Sequence, residues 1–176
     1  MFGVDALFKF SDIWKFELEY FVNSNKEPIA DWIDSDKKFG DYTVRLDGEK
    51  INGSALYAEI RRETENWRSF IQYTDLSQGF RSDNGFITGN DLKKYSLWHS
   101  YYQFPNTDLL KNYRISLRQD FTYNQNNEIA RSGFQYYIQL LTILNTDILY
   151  NYEYNFVKTH LDAKFEDFVN HWLRMY

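Results

Sequence analysis

Apolar and polar residues alternate along most of this chain, in runs that are commonly ten residues or longer. The clearest run carries apolar or aromatic residues at every second position: Ile148, Tyr150, Tyr152, Tyr154 and Phe156. A period of two is the signature of a β-strand with one apolar and one polar face. Because a usual strand has about five or six residues, the pattern predicts a sheet of unusually long strands.

Nine such runs are separated by turn signals rich in Gly, Pro, Asn and Asp. The expected strands are Val4–Phe10, Trp14–Val22, Tyr42–Leu46 continued by Ile51–Arg62, Trp67–Leu76, Leu92–Phe104, Tyr113–Tyr123, Phe134–Leu144, Ile148–Phe156 and Phe165–Tyr176. Asp47-Gly48 and Gly53 are expected to be bulge or bend positions. Residues 165–176 also fit one face of a helix, but a strand is favoured because everything before it reads as sheet.

The predicted connections alternate in length. Short turns follow the first, third, fifth and seventh strands, at Ser11–Ile13, Thr64–Asn66, Pro105–Asp108 and Asn145. Long loops follow the second strand, over the solvated residues 23–40, and the fourth, within an ordered loop, Tyr73–Asp91. Intermediate connections follow the sixth and eighth strands. Short turns at one end and longer loops at the other are typical of outer-membrane barrels.

The two faces of the expected sheet suit different surroundings. The tyrosine row at 150–154 suits lipid and the headgroup boundary. The opposite row is costly against hydrocarbon but suits water; its members are Glu17, Glu19, Arg114, Arg118, Asp120, Gln139 and Glu153. Because backbone groups in lipid must all be paired, the sheet has to close. The predicted fold class is therefore all-β: an antiparallel up-and-down meander of about 8–10 long strands, part of a transmembrane β-barrel.

Composition narrows the functional classes. The chain has no Cys and a net charge of −5, which excludes disulfides and cysteine-bound metals and argues against nucleic acid. No run of about 18 apolar residues occurs, which excludes a transmembrane helix. The start MFGVDALFKF lacks a basic segment followed by an apolar one, so no secretory signal is expected. With an odd strand count as well, residues 1–176 are interpreted as one β-barrel segment, a fragment of a larger barrel, rather than as a cytoplasmic protein.

A motif in the fourth connection carries a family resemblance. Gly3-Val4-Asp5 with Phe8 and Phe10 is followed by Tyr73-x-Asp75-x-Ser77-x-Gly79-Phe80-Arg81-x-Asp83-x-Gly85-Phe86. This succession resembles the barrel region of a family of Gram-negative surface proteins of unknown function, which look like a carbohydrate-binding family-nine-like module followed by a long membrane barrel. The resemblance implies an outer-membrane location and a surface or transport role linked to carbohydrate handling. It supplies no catalytic residue, and the module's sugar-binding residues match no position here.

Candidate chemical sites are few. His99-Ser100, with Asp91 or Asp120, is the candidate set for an outer-membrane hydrolase, but adjacent strand residues point to opposite faces. His160 and His171 with Asp162 or Asp167 are candidate metal ligands, and Asp83, Gly85 and Asp91 form a candidate calcium loop. Surface exposure and turn chemistry explain the same residues. We therefore expect no catalytic residue, no metal and no cofactor.

The aromatic residues and the charged row leave two further alternatives. Trp67, Trp98, Tyr101 and Tyr102 are candidate sugar-stacking platforms, although a period of two favours lipid-facing or core positions. The charged row is either a selectivity surface for solutes or a solvated wall of paired charges. The expected partners are the lipid bilayer and a saccharide or other small solute.

A soluble lipocalin-like barrel also fits the chain length. Against it stand the missing Gly-x-Trp near the first strand, the absence of a cysteine pair and an aromatic content of 20%. The interior of one small ligand-binding barrel is too small to hold so many aromatic side chains.

Overall fold

The chain folds into one large antiparallel sheet. The computed structural model describes residues 2–31, 36–39, 41–43, 45–81, 90–158 and 165–176. Its strands, in chain order, are β1 (Phe2–Lys9), β2 (Trp14–Lys26), β3 (Ile29–Ala30), β4 (Lys38–Phe39), β5 (Tyr42–Thr43), β6 (Leu46–Asp47), β7 (Lys50–Glu63), β8 (Trp67–Leu76), β9 (Leu92–Gln103), β10 (Leu110–Tyr123), β11 (Ile129–Thr142), β12 (Asp147–Lys158) and β13 (Phe165–Met175). The nine longer strands form the sheet, in the order β1-β2-β7-β8-β9-β10-β11-β12-β13.

The predicted all-β meander of nine long strands is confirmed. Every neighbouring pair in the sheet is antiparallel, and eight of the nine strands have 10 to 14 residues. Residues 165–175, which also fitted a helical face, form strand β13. Within the described residues β1 and β13 each pair on one side only, so the sheet is open.

Asparagine makes several of the tight turns. Asn106, Asn127 and Asn145 have positive φ, of 46°, 63° and 62°. Asn tolerates this left-handed backbone better than most residues because its short side chain bonds locally. The expected turn at Asn145 is confirmed, and its amide N–H donates to the Thr142 carbonyl at 3.1 Å.

The connection between β2 and β7 differs from its prediction at both ends. β2 continues to Lys26 because residues 23–26 pair in register with residues 50–53, although their side chains are polar. The expected strand Tyr42–Leu46 is wrong as part of the main sheet. Tyr42–Thr43 belongs to the two-residue strand β5, which pairs with β4, while Leu46 begins β6, which pairs with β3.

Gly53 is not a bulge, because the ladder between β2 and β7 runs through it without a register shift. The segment after β8 instead crosses β7 at this point. A Cβ atom on Gly53 would lie 2.2 Å from the backbone nitrogen of Phe80, and one on Gly79 would lie 2.2 Å from the carbonyl oxygen of Asn52. The expected bend at Gly48 is confirmed by its φ of 86°.

The apolar core is small. Among the described residues the buried hydrophobic side chains are those of Ile51, Ala55 and Phe80, near the crossing at Gly53. In the part of the chain described, no helix is long and apolar enough to cross a membrane. The stability of the fold therefore depends largely on the ladder of backbone hydrogen bonds and on contacts between side chains across neighbouring strands.

Candidate functional site

The register of the strands separates the side chains into two faces, because directly paired residues of an antiparallel ladder lie on the same side. Ile71 pairs with Ile60 on one neighbouring strand and with Leu97 on the other. One position along, Gln72 pairs with Glu59 and with Ser96. The apolar face includes Val4, Phe16, Tyr20, Ile60, Ile71, Tyr73, Tyr95, Leu97, Ile115, Leu117, Tyr136, Ile138, Tyr150, Tyr152, Val169 and Leu173. The polar face includes Glu19, Glu59, Arg61, Gln72, Ser96, Ser100, Arg114, Ser116, Arg118, Asp120, Gln135, Gln139, Asn151 and Glu153.

The apolar face is open to its surroundings. Ile71 is 59% exposed and Leu173 is 64% exposed, and both lie within strands of the sheet. The aromatic side chains of this face contact one another across strands, as in Tyr73 and Tyr95, whose ring centroids are 4.8 Å apart. These contacts leave a broad apolar surface without a covering layer among the described residues.

The polar face holds the buried side chains. Ser100 is 0% exposed and Asn151 is 1% exposed. The hydroxyls of Ser100 and Ser116 lie 2.6 Å apart, and the Gln135 amide donates from Nε2 to Asn151 Oδ1 at 2.7 Å. The sheet therefore buries several polar side chains on this face, although polar residues are more often exposed in proteins.

Several charges of the polar face are paired. Glu59 is 5% exposed; its carboxylate lies 2.6 Å from an Arg61 guanidinium nitrogen and accepts a hydrogen bond from the Tyr57 hydroxyl at 3.0 Å. Asp120 accepts from Arg118 Nε at 2.7 Å and also from the Ser96 hydroxyl. These pairs fit the expectation of a wall with paired charges.

Arg114 departs from this pairing. Its guanidinium carbon lies 4.5 Å from the ring centroid of Tyr137 and 5.7 Å from that of Tyr102. Arg68 approaches the same Tyr102 ring at 5.1 Å. Among the described residues no carboxylate lies within 4.0 Å of either arginine, and Nε of Arg114 is buried without a hydrogen-bond partner. Arg114 is therefore a partly buried cation whose contacts among the described residues are aromatic rather than acidic.

Replacing Asn151 by Leu tests the polar face. We expect the free energy of unfolding in detergent micelles to fall by about 1–3 kcal/mol, because the substitution leaves the Gln135 amide without its acceptor. Asn170, an exposed residue of β13 on the same face, is the matched control, and Asn170→Leu is expected to change stability by less than about 0.5 kcal/mol. Denaturant titration measures both, and equal effects would contradict a buried role for Asn151.

His99 and Ser100 lie on opposite faces, as their adjacency in a strand predicts. The Ser100 hydroxyl bonds to Ser116, whereas Nδ1 of His99 lies 2.6 Å from the hydroxyl of Ser69, its direct partner on β8. Asp120 is on the polar face, and Asp91 accepts from the backbone N–H of Gln125 at 3.0 Å. The described residues supply no carboxylate to His99, so its bond to Ser69 is a cross-strand contact rather than part of a triad.

The candidate metal ligands are described only in part. His160, Asp162, Asp83 and Gly85 lie outside the described residues. His171 and Asp167 are four positions apart on β13, a separation of about 13 Å along a strand. A different group, Glu27, Asp47 and Glu49, has carboxylate oxygens within 4.8 Å of one another, with Arg81 bonded to Glu27 at 2.8 Å.

The four candidate platform residues divide between the two faces. Trp67 and Tyr101 pair on the apolar face with ring centroids 4.3 Å apart. Trp98 and Tyr102 lie on the polar face, where Trp98 stacks on Phe70 at 5.5 Å. The four rings therefore do not lie on one common surface.

Six of the nine named residues of the loop motif that carries the family resemblance are described, from Tyr73 to Arg81, and residues 82–89 lie outside the described part. The Tyr73 hydroxyl donates to Asp75 at 2.9 Å, and the Ser77 hydroxyl accepts from the backbone N–H of Ser54 at 2.7 Å. The bond between Ser54 and Ser77 holds the start of the loop against β7. No family model, no curated protein and no solved structure matches the chain.

Proposed function

We propose that this chain is a segment of an outer-membrane β-barrel, with its apolar face toward lipid and its polar face lining a water-filled lumen. The observation that carries the proposal is the reversed distribution of polarity: exposed Ile71 and Leu173 on one face, buried Ser100 and Asn151 on the other. In water such an apolar surface invites association. In a bilayer the same surface is the one that lipid requires.

Strand length supports the proposal. A strand crosses a bilayer with about nine to eleven tilted residues, and strands β7 to β13 have 10 to 14. The connections β1–β2, β7–β8, β9–β10 and β11–β12 are short and lie at one end of the sheet, while the long connections β2–β7 and β8–β9 lie at the other. Outer-membrane barrels have this asymmetry between turns and loops.

The open edges of β1 and β13 support a larger barrel. An unpaired edge in hydrocarbon leaves backbone N–H and C=O groups without partners, at a cost of several kcal/mol for each group. Further strands beside β1 and β13 would complete the ladder. In such a barrel the chain acts without covalent chemistry, in passage or docking of small solutes. The resemblance carried by Gly3–Phe10 and Tyr73–Phe86 is the ground for a link to carbohydrate handling.

Flotation with lipid vesicles tests the membrane assignment. We expect the chain to remain dispersed in detergent, to precipitate when detergent is removed, and to float with vesicles after refolding in their presence, because its apolar face needs lipid or detergent cover. The matched measurement is size-exclusion chromatography without detergent. A monodisperse chain that stays with the aqueous fraction would support the soluble lipocalin-like alternative instead.

A further inference from the structure

A pocket on the polar face surrounds the uncompensated Arg114. Its volume is about 260 Å³, and it lies between β9, β10 and β11. The lining residues are Trp98, Arg114, Ser116, Arg118, Gln135 and Tyr137. Two of these six side chains are arginines and none is acidic, so the pocket has a positive charge to offer.

Among the residues that line the pocket, Arg114 is the arginine without a carboxylate partner in the described part of the chain. Arg118 is bonded to Asp120 through Nε at 2.7 Å, which neutralises it. Gln135 is bonded to Asn151 at 2.7 Å. The Arg114 guanidinium instead lies over the ring of Tyr137 and interacts with the hydroxyls of Tyr102 and Tyr137, while its Nε–H is buried without an acceptor. A buried donor without an acceptor carries a desolvation cost that a ligand oxygen would remove.

The shape of the group indicates what kind of ligand fits. A guanidinium offers parallel N–H donors that match the two oxygens of a carboxylate. Contacts with the rings of Tyr102 and Tyr137, on the two strands that flank β10, restrict the orientation of the guanidinium before a ligand arrives. Trp98 supplies an aromatic wall beside it, which suits an organic body rather than a small inorganic ion.

We propose that this pocket binds an organic carboxylate, held by the Arg114 guanidinium against the aromatic wall of Trp98 and Tyr137. This proposal rests on the proposed function, in which the polar face lines a lumen. In that setting the pocket is a binding position for anionic solutes on the lumen wall. Binding itself needs only a folded sheet, and therefore does not require the bilayer.

The test uses the 176-residue chain in detergent micelles, with ¹⁵N-labelled arginine and benzoate as the probe. We expect benzoate to shift the Arg114 Nε–H resonance in a saturable manner, while benzamide, its neutral analogue, leaves the resonance unchanged. Arg114→Lys, which keeps the charge, assigns the signal. Equal shifts with benzamide, or a shift confined to other arginines, would overturn the proposal. Both outcomes are observed on the unmodified chain, so neither depends on the folding of a variant.

A second measurement is the affinity of the variants. Arg114→Gln is expected to bind benzoate about tenfold more weakly, since it loses the charged hydrogen bonds. Arg61, paired with Glu59 on the same face, is the matched control, and Arg61→Gln should retain the original affinity. An unchanged affinity in Arg114→Gln would overturn the proposed binding site. If the chain binds benzoate but does not float with vesicles, only the membrane assignment is overturned.

Discussion

Ile71→Arg is expected to reduce the free energy of unfolding from lipid vesicles by about 2–4 kcal/mol, the cost of an arginine near the middle of a lipid-facing strand. Ile71 is near the centre of β8 on the apolar face and is 59% exposed. In a soluble sheet protein, substitution of so exposed a side chain changes stability by less than about 0.5 kcal/mol. Denaturant titration of the vesicle-bound chain therefore distinguishes the two surroundings of this face.

The neighbouring residue gives the control for this experiment. Gln72 follows Ile71 in β8, points to the polar face and pairs with the carboxylate-bearing Glu59. Gln72→Arg introduces the same charge one position along, and we expect little loss of stability because the new guanidinium faces water and an acidic neighbour. Equal losses for Ile71→Arg and Gln72→Arg, or a loss confined to Gln72→Arg, would show that the apolar face does not meet lipid.

Gly53→Ala is expected to destabilise the fold by about 3 kcal/mol, the upper part of the usual range for overpacking. The added methyl carbon would lie 2.2 Å from the backbone nitrogen of Phe80 and 2.3 Å from the carbonyl carbon of Gly79. Backbone atoms do not rotate away as a flexible side chain does. The segment after β8 would have to separate from β7 and break the bond between Ser77 and Ser54, which denaturant titration measures as lost stability.

Gly133 on β11 supplies the comparison. A Cβ atom there would meet the Asn155 side-chain oxygen at 3.0 Å, a group that can turn aside. Gly133→Ala is expected to be neutral or to gain up to about 1 kcal/mol, because alanine restricts the unfolded chain and suits a strand better than glycine. If Gly53→Ala were as harmless as Gly133→Ala, the close crossing at β7 would be contradicted.

The sheet was predictable because alternation is a local signal repeated over long runs. The row at 148–156 gives strand β12 almost to its ends, and the turn at Asn145 follows from the left-handed backbone that asparagine accepts. Residues 23–26 were expected in a loop because their side chains are polar. Their strand is set by backbone pairing with residues 50–53, which side-chain patterns do not report.

The cluster of Arg68, Tyr102, Arg114 and Tyr137 depends on the registers between neighbouring strands, which a sequence pattern does not give. A period of two places Tyr102 and Arg114 in the polar rows of neighbouring strands. A shift of one residue in the turn at 104–109 would, however, move the two side chains to opposite faces of the sheet. Arg68 and Tyr137 come from two further strands, so three registers must be known before the group can be assembled. Gly53 is similar: its partner, Gly79, is brought to it by a loop crossing.

The antiparallel order of the nine strands fixes their directions. Each strand reverses the one before it, so β1 and β13 run the same way. A direct seam between them would be a parallel pair, and a ring of two copies joined head to tail would contain two such seams. In the barrel proposed above, a ring with no parallel seam instead requires an odd number of additional strands between β13 and β1, which makes the total number of strands even.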